Sequence, residues 1–402
     1  MKPSEIAALL RPRRPVFRPT ARRLARSRTV DDLRRIARRR LPRPVFDYID
    51  GGAEDELTLR ANTGAFDDLV LLPRVLRDVD DVDLTTAILG SESALPIALA
   101  PTGFTRMVHH EGELAVARAA ARAGVPYTLS TMGTRSIERV AAETDGAQWF
   151  QLYVWRDRGL ARELIARAKE AGYAALVLTV DVPVPGARER DLRNGFTIPP
   201  SLGLRTFFEG AKHPHWWWRF LTRDVMSFES VSDRAASPSG VMQFLAEQFD
   251  PSVTWDDLDW MRQAWDGPFV LKGVVHPDDA RQAVDLGVTG IVVSNHGGRQ
   301  LDRGPATIDA LPGVVDAVGD RLEVLFDSGI RRGRDIVTAL ALGARACMIG
   351  RAYLYGLATA GEQGVDHAIA LLTAELRRSM QLVGARTVSE LEPSMVIRRS
   401  RA

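Results

Sequence analysis

Eight short apolar runs with strand character recur along this chain, most of them separated by alanine-rich stretches with helical spacing. The runs are Leu95 to Ala100, Tyr127 to Ser130, Trp149 to Val154, Ala175 to Asp181, Phe269 to Gly273, Gly290 to Asn295, Val324 to Gly329 and Arg345 to Gly350. Helical patterns such as Glu111 to Ala123, Leu160 to Ala171, Pro277 to Leu286 and Gly333 to Leu342 lie between them. Continuous apolar runs are what strands covered on both faces require, and alternation with helices makes neighbouring strands parallel. Eight such units favour closure over an open sheet, which predicts an α/β fold, a single (β/α)8 TIM barrel. The spacing breaks once, between Asp181 and Phe269, where an irregular stretch of roughly sixty residues reads as a long insertion after the fourth strand.

In such a barrel the chemistry gathers at the carboxyl ends of the strands. Those ends carry Pro101-Thr102-Gly103, Ser130, Gln151 with Tyr153, Thr179 with Asp181, Lys272, Ser294 with His296 and Arg299, Asp327 to Arg331, and Gly350-Arg351. The segment Ser294-Asn295-His296-Gly297-Gly298-Arg299-Gln300-Leu301-Asp302 is the most specific of them. Its imidazole can take a proton near neutral pH, and its guanidinium can grip a carboxylate through two parallel hydrogen bonds. A base beside a carboxylate clamp suits a 2-hydroxy acid. Asp327-Ser328-Gly329-Ile330-Arg331 and Gly350-Arg351 follow strands seven and eight, where barrels hold phosphate with glycine N–H groups and arginine charge. No Gly-x-Gly-x-x-Gly opens a helix, so a dinucleotide is not favoured. Taken alone, Lys272 also reads as the Schiff-base lysine of a barrel aldolase.

From about Leu41 to Pro393 the chain resembles the FMN-dependent L-2-hydroxy acid dehydrogenase and oxidase family. The resemblance rests on Phe46-Asp47-Tyr48 with Gly51-Gly52-Ala53, Ala100-Pro101-Thr102-Gly103, Phe150-Gln151-Leu152-Tyr153, Leu178-Thr179-Val180-Asp181 and Leu271-Lys272-Gly273. The histidine segment, Asp327 to Arg331 and Ile349-Gly350-Arg351 complete it. Within the family the wording is similar to chains assigned as quinone-dependent L-lactate dehydrogenases and, in the last third, to mandelate dehydrogenase.

The resemblance implies FMN as cofactor and no metal. It makes His296 the base, Asp181 the carboxylate that holds its ring, Tyr153 the partner of the substrate hydroxyl, and Arg299, Arg188 and Tyr48 the carboxylate-binding group. Pro101, Thr102, Gly103, Ser130, Gln151, Thr179, Lys272 and Ser294 would line the flavin. Asp327, Ser328, Gly329, Ile330, Arg331, Gly350 and Arg351 would hold its ribityl phosphate. The implied reaction oxidises a small L-2-hydroxy acid, L-lactate to pyruvate first, with a quinone or other non-NAD acceptor. Mandelate, longer acids and an oxygen-using oxidase are the alternatives. Gly103 and Met132 stand where glycolate oxidases carry alanine and tryptophan, and both changes are expected to make room on the substrate's second carbon.

The net charge of +2 conceals an asymmetry: residues 1 to 43 hold fifteen Lys and Arg against three Asp and Glu, or +12, which leaves −10 for the rest. Residues 1–40 are expected as a basic extension, and residues 41–395 as the FMN-binding barrel with its insertion at about 190–254. Such an arm suits an anionic membrane surface or a solvated helix face. Phe17 is the only aromatic before Phe46, so a base-stacking nucleic-acid surface is not expected. In the insertion, Trp216-Trp217-Trp218-Arg219-Phe220 reads either as an interfacial membrane contact or as a helix packed on the barrel. No segment reads as a signal peptide or a bilayer span, and the single cysteine, Cys347, lies in an apolar run and reads as core packing. The expectation is a cytoplasmic protein, peripheral on the inner face of the cell membrane where that insertion docks, and a homo-oligomer, a tetramer by resemblance.

Overall fold

In the computed structural model, residues 18–194, 212–222, 227–231 and 247–399 are described. Eight parallel strands close into a barrel: β1 (Ile97–Leu99), β2 (Tyr127–Ser130), β3 (Gln148–Tyr153), β4 (Ala175–Thr179), β5 (Phe269–Val274), β6 (Gly290–Val293), β7 (Glu323–Phe326) and β8 (Ala346–Ile349). Neighbours pair in sequence order, and β8 closes on β1 with Cys347 opposite Ile97 and Ile349 opposite Leu99. All eight expected strands are present, shortened by one to three residues at most ends, so Asp181, Ser294 and His296 stand just beyond their strands, where the backbone turns into the mouth.

Alternation along each strand splits the core in two. Ala98, Trp149, Ala175, Val177, Val270, Val292, Leu325, Ala346 and Met348 form one cluster, small residues making room for one tryptophan. Ile97, Leu99, Phe150, Leu152, Leu176, Leu178, Ile291, Val293, Phe326 and Cys347 belong to the other, with the helices. Alanine dominates the buried face of helix Gly112–Arg122 (Ala115, Ala117, Ala119, Ala120), which lets that helix lie close against the strands. A hairpin of Thr86–Ile88 and Ser91–Ser93 shares the first cluster through Ile88 and Leu89. The Leu89 N–H donates to Oε2 of Glu323, the first residue of β7, at 2.8 Å. The hairpin therefore plugs the amino end of the barrel and leaves the carboxyl end for chemistry.

The basic arm is docked where it is described. Helix Val30–Arg40 starts on a Thr29–Asp32 capping box, buries Val30, Leu33 and Ala37, and turns most of its arginines outward. It packs against helix Arg351–Ala360, with Arg40 Nε donating to the Ala358 carbonyl at 3.0 Å and Arg23 Nε to that of Thr359 at 3.0 Å. Residues 1–17 lie outside the described residues, as does most of the insertion. Of its aromatic segment, helix Pro214–Thr222 is described: Trp216 is half-buried, its indole N–H donating to the Met107 carbonyl at 2.8 Å, and Trp218 is 70% exposed. Among the described residues no helix is long and apolar enough to cross a membrane.

Candidate active site

A cavity of about 410 Å3 opens at the carboxyl ends of the strands. It is lined by Pro101, Thr102, Gly103, Tyr153, Thr179, Lys272, His296, Arg299, Asp327, Ser328, Gly329, Ile330, Arg331, Gly350 and Arg351. Tyr48, from helix Arg43–Asp50, and Arg188, just before helix Glu189–Arg193, reach it from outside the barrel. Ser130, Gln151, Asp181 and Ser294 are absent from the lining and act from behind it.

His296 Nδ1 lies 3.0 Å from Asp181 Oδ1. With the carboxylate ionised, Nδ1–H donates and Nε2 keeps its lone pair. His296 holds φ +57, a left-handed conformation rare for a side-chain-bearing residue, and its N–H donates to Ser294 Oγ at 3.1 Å. Asp181 depends on a glycine two strands' ends away in sequence but adjacent in space. Gly273 has φ +115 at a register shift in β5, and a Cβ there would sit 2.6 Å from Asp181 Cβ.

Two guanidiniums face the same space. Arg299 lies 4.9 Å and Arg188 5.5 Å from the centre of the Tyr48 ring. Arg299 is anchored by Nη1, which donates to the Tyr48 carbonyl at 2.5 Å. Burial, and then the like charge of Arg188, pull its pKa down, a strain that an anion between the two would relieve. Tyr153 is set edge-on to Phe249 at 5.6 Å, and burial pushes its phenol pKa up, so it is a donor across the physiological range.

At the other side Lys272 is 4% exposed. Its Nζ donates to Ser294 Oγ at 2.8 Å and to Asp327 Oδ2 at 2.7 Å. Burial opposes its ammonium, but the charges of Asp327 and Asp181 outweigh that and raise its pKa. Paired in this way it is a fixed cation, which disfavours the Schiff-base reading, since an imine-forming lysine needs a neutral amine. Ser130 Oγ donates to Gln151 Oε1 at 2.9 Å, whereas Gln151 Nε2 is buried with no protein partner. An orphaned buried donor calls for an acceptor from a bound group.

Arg351 differs from the phosphate contact expected of it. Its Nε, Nη1 and Nη2 donate to the carbonyls of Ile49 (3.0 Å), Gly297 (2.9 Å) and Gly51 (2.7 Å). The side chain thus stitches the amino-terminal segment to the barrel, and the start of helix Arg351–Ala360 is left to offer backbone N–H groups. Arg331 lies nearby, 6.0 Å from the Tyr355 ring. The space beside Gly103 also differs from expectation: a Cβ there would meet Met132 Cβ at 2.8 Å. Met132 uses the room that Gly103 leaves, so the pocket's width is set at position 132.

Sequence reasoning overlooked Phe104, Phe249 and Gln300 in the lining. Phe249 comes from the far end of the insertion and carried no signal. Gln300 sat inside the motif; its Nε2 donates to the carbonyls of Asp181 at 3.2 Å and Val184 at 3.0 Å, fastening the start of the insertion. His109 and His110 do not line this cavity.

A closed parallel barrel with a proton acceptor, two guanidiniums, a fixed cation and an orphaned amide donor around one mouth is the frame of a flavin-dependent oxidoreductase, and these residues fit FMN. Residues 37–398 match the model of the FMN-dependent dehydrogenase family, and the chain belongs to that family, as an FMN-dependent enzyme. It is 50% identical over 393 residues to a Mycobacterium tuberculosis protein with a provisional L-lactate dehydrogenase name, covering 98% of this chain and 94% of that one. An L-lactate dehydrogenase of Caulobacter vibrioides is 48% identical over 375 residues, covering 92% and 98%. The crystal structure of the monotopic membrane protein (S)-mandelate dehydrogenase superposes with a TM-score of 0.90 at 39% identity, covering 93% of this chain and all of that one.

Proposed function

We propose that the enzyme oxidises an L-2-hydroxy acid, L-lactate to pyruvate first, and passes the electrons to a quinone or another acceptor that is not a nicotinamide. The reading is carried by the His296–Asp181 pair, 3.0 Å apart, sharing a cavity with Arg299 and Arg188. Bound FMN supplies the two-electron acceptor. His296 Nε2 takes a proton from the substrate as the C2 hydroxyl becomes a ketone, and Asp181 stabilises the imidazolium that forms. Arg299 and Arg188 hold the substrate carboxylate, with the Tyr48 hydroxyl as a further donor. Tyr153 bonds the substrate hydroxyl oxygen. Lys272 sets a positive charge at the pyrimidine end of the flavin, and Gln151 Nε2 has a flavin acceptor as its missing partner. Pro101 to Gly103, Ser130, Thr179 and Ser294 shape the ring site. Asp327 to Arg331, with the backbone of Gly350 and Arg351, take the ribityl phosphate.

The L-lactate dehydrogenase names of two relatives support lactate, and the mandelate dehydrogenase neighbour supports mandelate as the second reading. That neighbour's monotopic membrane attachment, with Trp218 exposed on helix Pro214–Thr222, supports a peripheral seat on the inner face of the cell membrane. A homo-oligomer completes the proposal.

The test is a visible spectrum of the flavin-loaded enzyme under anaerobic conditions. L-lactate should bleach it and D-lactate should not. Bleaching by (S)-mandelate alone would move the substrate to the second reading, and a flavin that no 2-hydroxy acid reduces would reject both. Mixing the reduced enzyme with oxygen or with a soluble quinone identifies the acceptor by the faster reoxidation.

A further inference from the structure

A second, smaller cavity of about 200 Å3 lies outside the lining of the chemical site. It is bounded by the carboxyl end of helix Val30–Arg40, the turn after helix Thr105–Val108, and the approach to helix Pro214–Thr222. Arg39, Arg40, Arg106 and Lys212 converge on it with His110 and His213, and no carboxylate is among its described lining residues. The nearby acids are engaged: Glu111 approaches His109 Nδ1 at 3.2 Å, and Glu113 accepts the Thr134 N–H at 2.7 Å. Arg106 is only 7% exposed, so its charge acts through a low-dielectric wall where attraction for an anion is strong. Trp216 closes one side, fixed by its bond to Met107.

His109, His110 and Glu111 place ligand atoms within 4.8 Å of one another, which by itself suggests a metal ion. Four permanent cations around the same cavity repel one, so the charge decides for an anion. Arginine forks from separate elements match the several oxygens of a phosphate better than the single charge of a carboxylate. We infer that this cavity binds a phosphate group, supplied by the headgroup of an anionic phospholipid when the enzyme sits on a membrane. The lipid source rests on the peripheral reading above and on Trp218, exposed on the same helix as Trp216; the site itself does not.

The experiment compares flavin-loaded wild type with the double variant Arg39→Ala/Lys212→Ala. Both positions are exposed and neither lines the chemical site. Flavin spectrum and turnover with a soluble dye should therefore be unchanged, which also reports correct folding. Inorganic phosphate should change the tryptophan fluorescence saturably, and phosphatidylglycerol vesicles should retain the protein better than phosphatidylcholine vesicles. The variant should weaken both by roughly 30-fold, about fivefold for each cation lost. Saturable phosphate binding that the variant loses, with no preference between vesicles, would keep the site and assign it a soluble phosphate ligand. A variant that binds phosphate and phosphatidylglycerol like wild type overturns the inference, whatever lactate does to the flavin and even if Trp218 still holds the protein on vesicles.

Discussion

Asp181 Oδ1 stands 3.0 Å from His296 Nδ1, although 115 residues separate them in the chain and each lies just past the end of its own strand. The pairing fixes which ring nitrogen carries a proton and which one faces the cavity. Replacing Asp181 with Asn leaves the size unchanged and removes the charge that stabilises the imidazolium. Flavin reduction by L-lactate should fall by about 100- to 10,000-fold, with the oxidised flavin spectrum unaltered. Stopped-flow reduction rates measure it, and a variant within threefold of wild type would remove Asp181 from the mechanism.

Gly273 offers a less obvious route to the same loss. Alanine there has to adopt φ +115 and place its Cβ within 2.6 Å of Asp181 Cβ, so the carboxylate is pushed off its line to His296. A displacement on the order of 1 Å costs roughly 100-fold in rate. Gly273→Ala should bind FMN and reduce slowly; wild-type reduction would show that β5 absorbs the methyl group.

Met132 sets the pocket's width, so Met132→Trp should narrow the preference toward glycolate. One methyl of discrimination is worth about 1–3 kcal/mol, or roughly 10- to 200-fold in the ratio of kcat/KM for lactate over glycolate. An unchanged ratio would place the substrate's side chain elsewhere.

Asp50 gives a pH prediction. Burial works against its carboxylate, but Arg34, donating at 2.5 and 2.8 Å, and the Tyr355 hydroxyl, donating at 2.7 Å, outweigh it and bring the pKa from 3.8 down to about 2. A depressed folded value means stability that is present above the unfolded pKa and lost as pH falls through the folded one, so the window runs from about 4 down to 2. The contribution is about 2 kcal/mol. Urea midpoints taken between pH 5 and pH 2 should fall less steeply for Asp50→Asn than for wild type, and parallel slopes would assign the acid loss to other groups.

Trp218→Ala tests the membrane seat separately from the phosphate cavity. Its retention on phosphatidylglycerol vesicles should drop while its turnover with a soluble dye stays the same, and equal retention would deny Trp218 a membrane role.

Much of this was legible in one dimension. Buried strands and alanine-rich helices announce themselves because a strand covered on both faces cannot carry polar residues, and that constraint acts locally along the chain. His296-Gly297-Gly298-Arg299 was legible for a similar reason, since a turn that exposes a base at a strand's end needs its glycines in sequence. What the chain alone determined, then, was the eight-stranded barrel, the strand ends that bear chemistry and the FMN family. Tertiary structure decided which polar groups meet: Gly273 under Asp181, Arg351 spent on the carbonyls of Ile49, Gly51 and Gly297, Met132 filling the space beside Gly103, and Phe249 arriving from the end of the insertion. It also decided that the arginine-rich helix docks on the last barrel helix, with its cations around a cavity of their own. Periodicity records what each residue needs from solvent, whereas these pairings depend on distances across the barrel mouth, which exist only once the eighth strand has closed on the first.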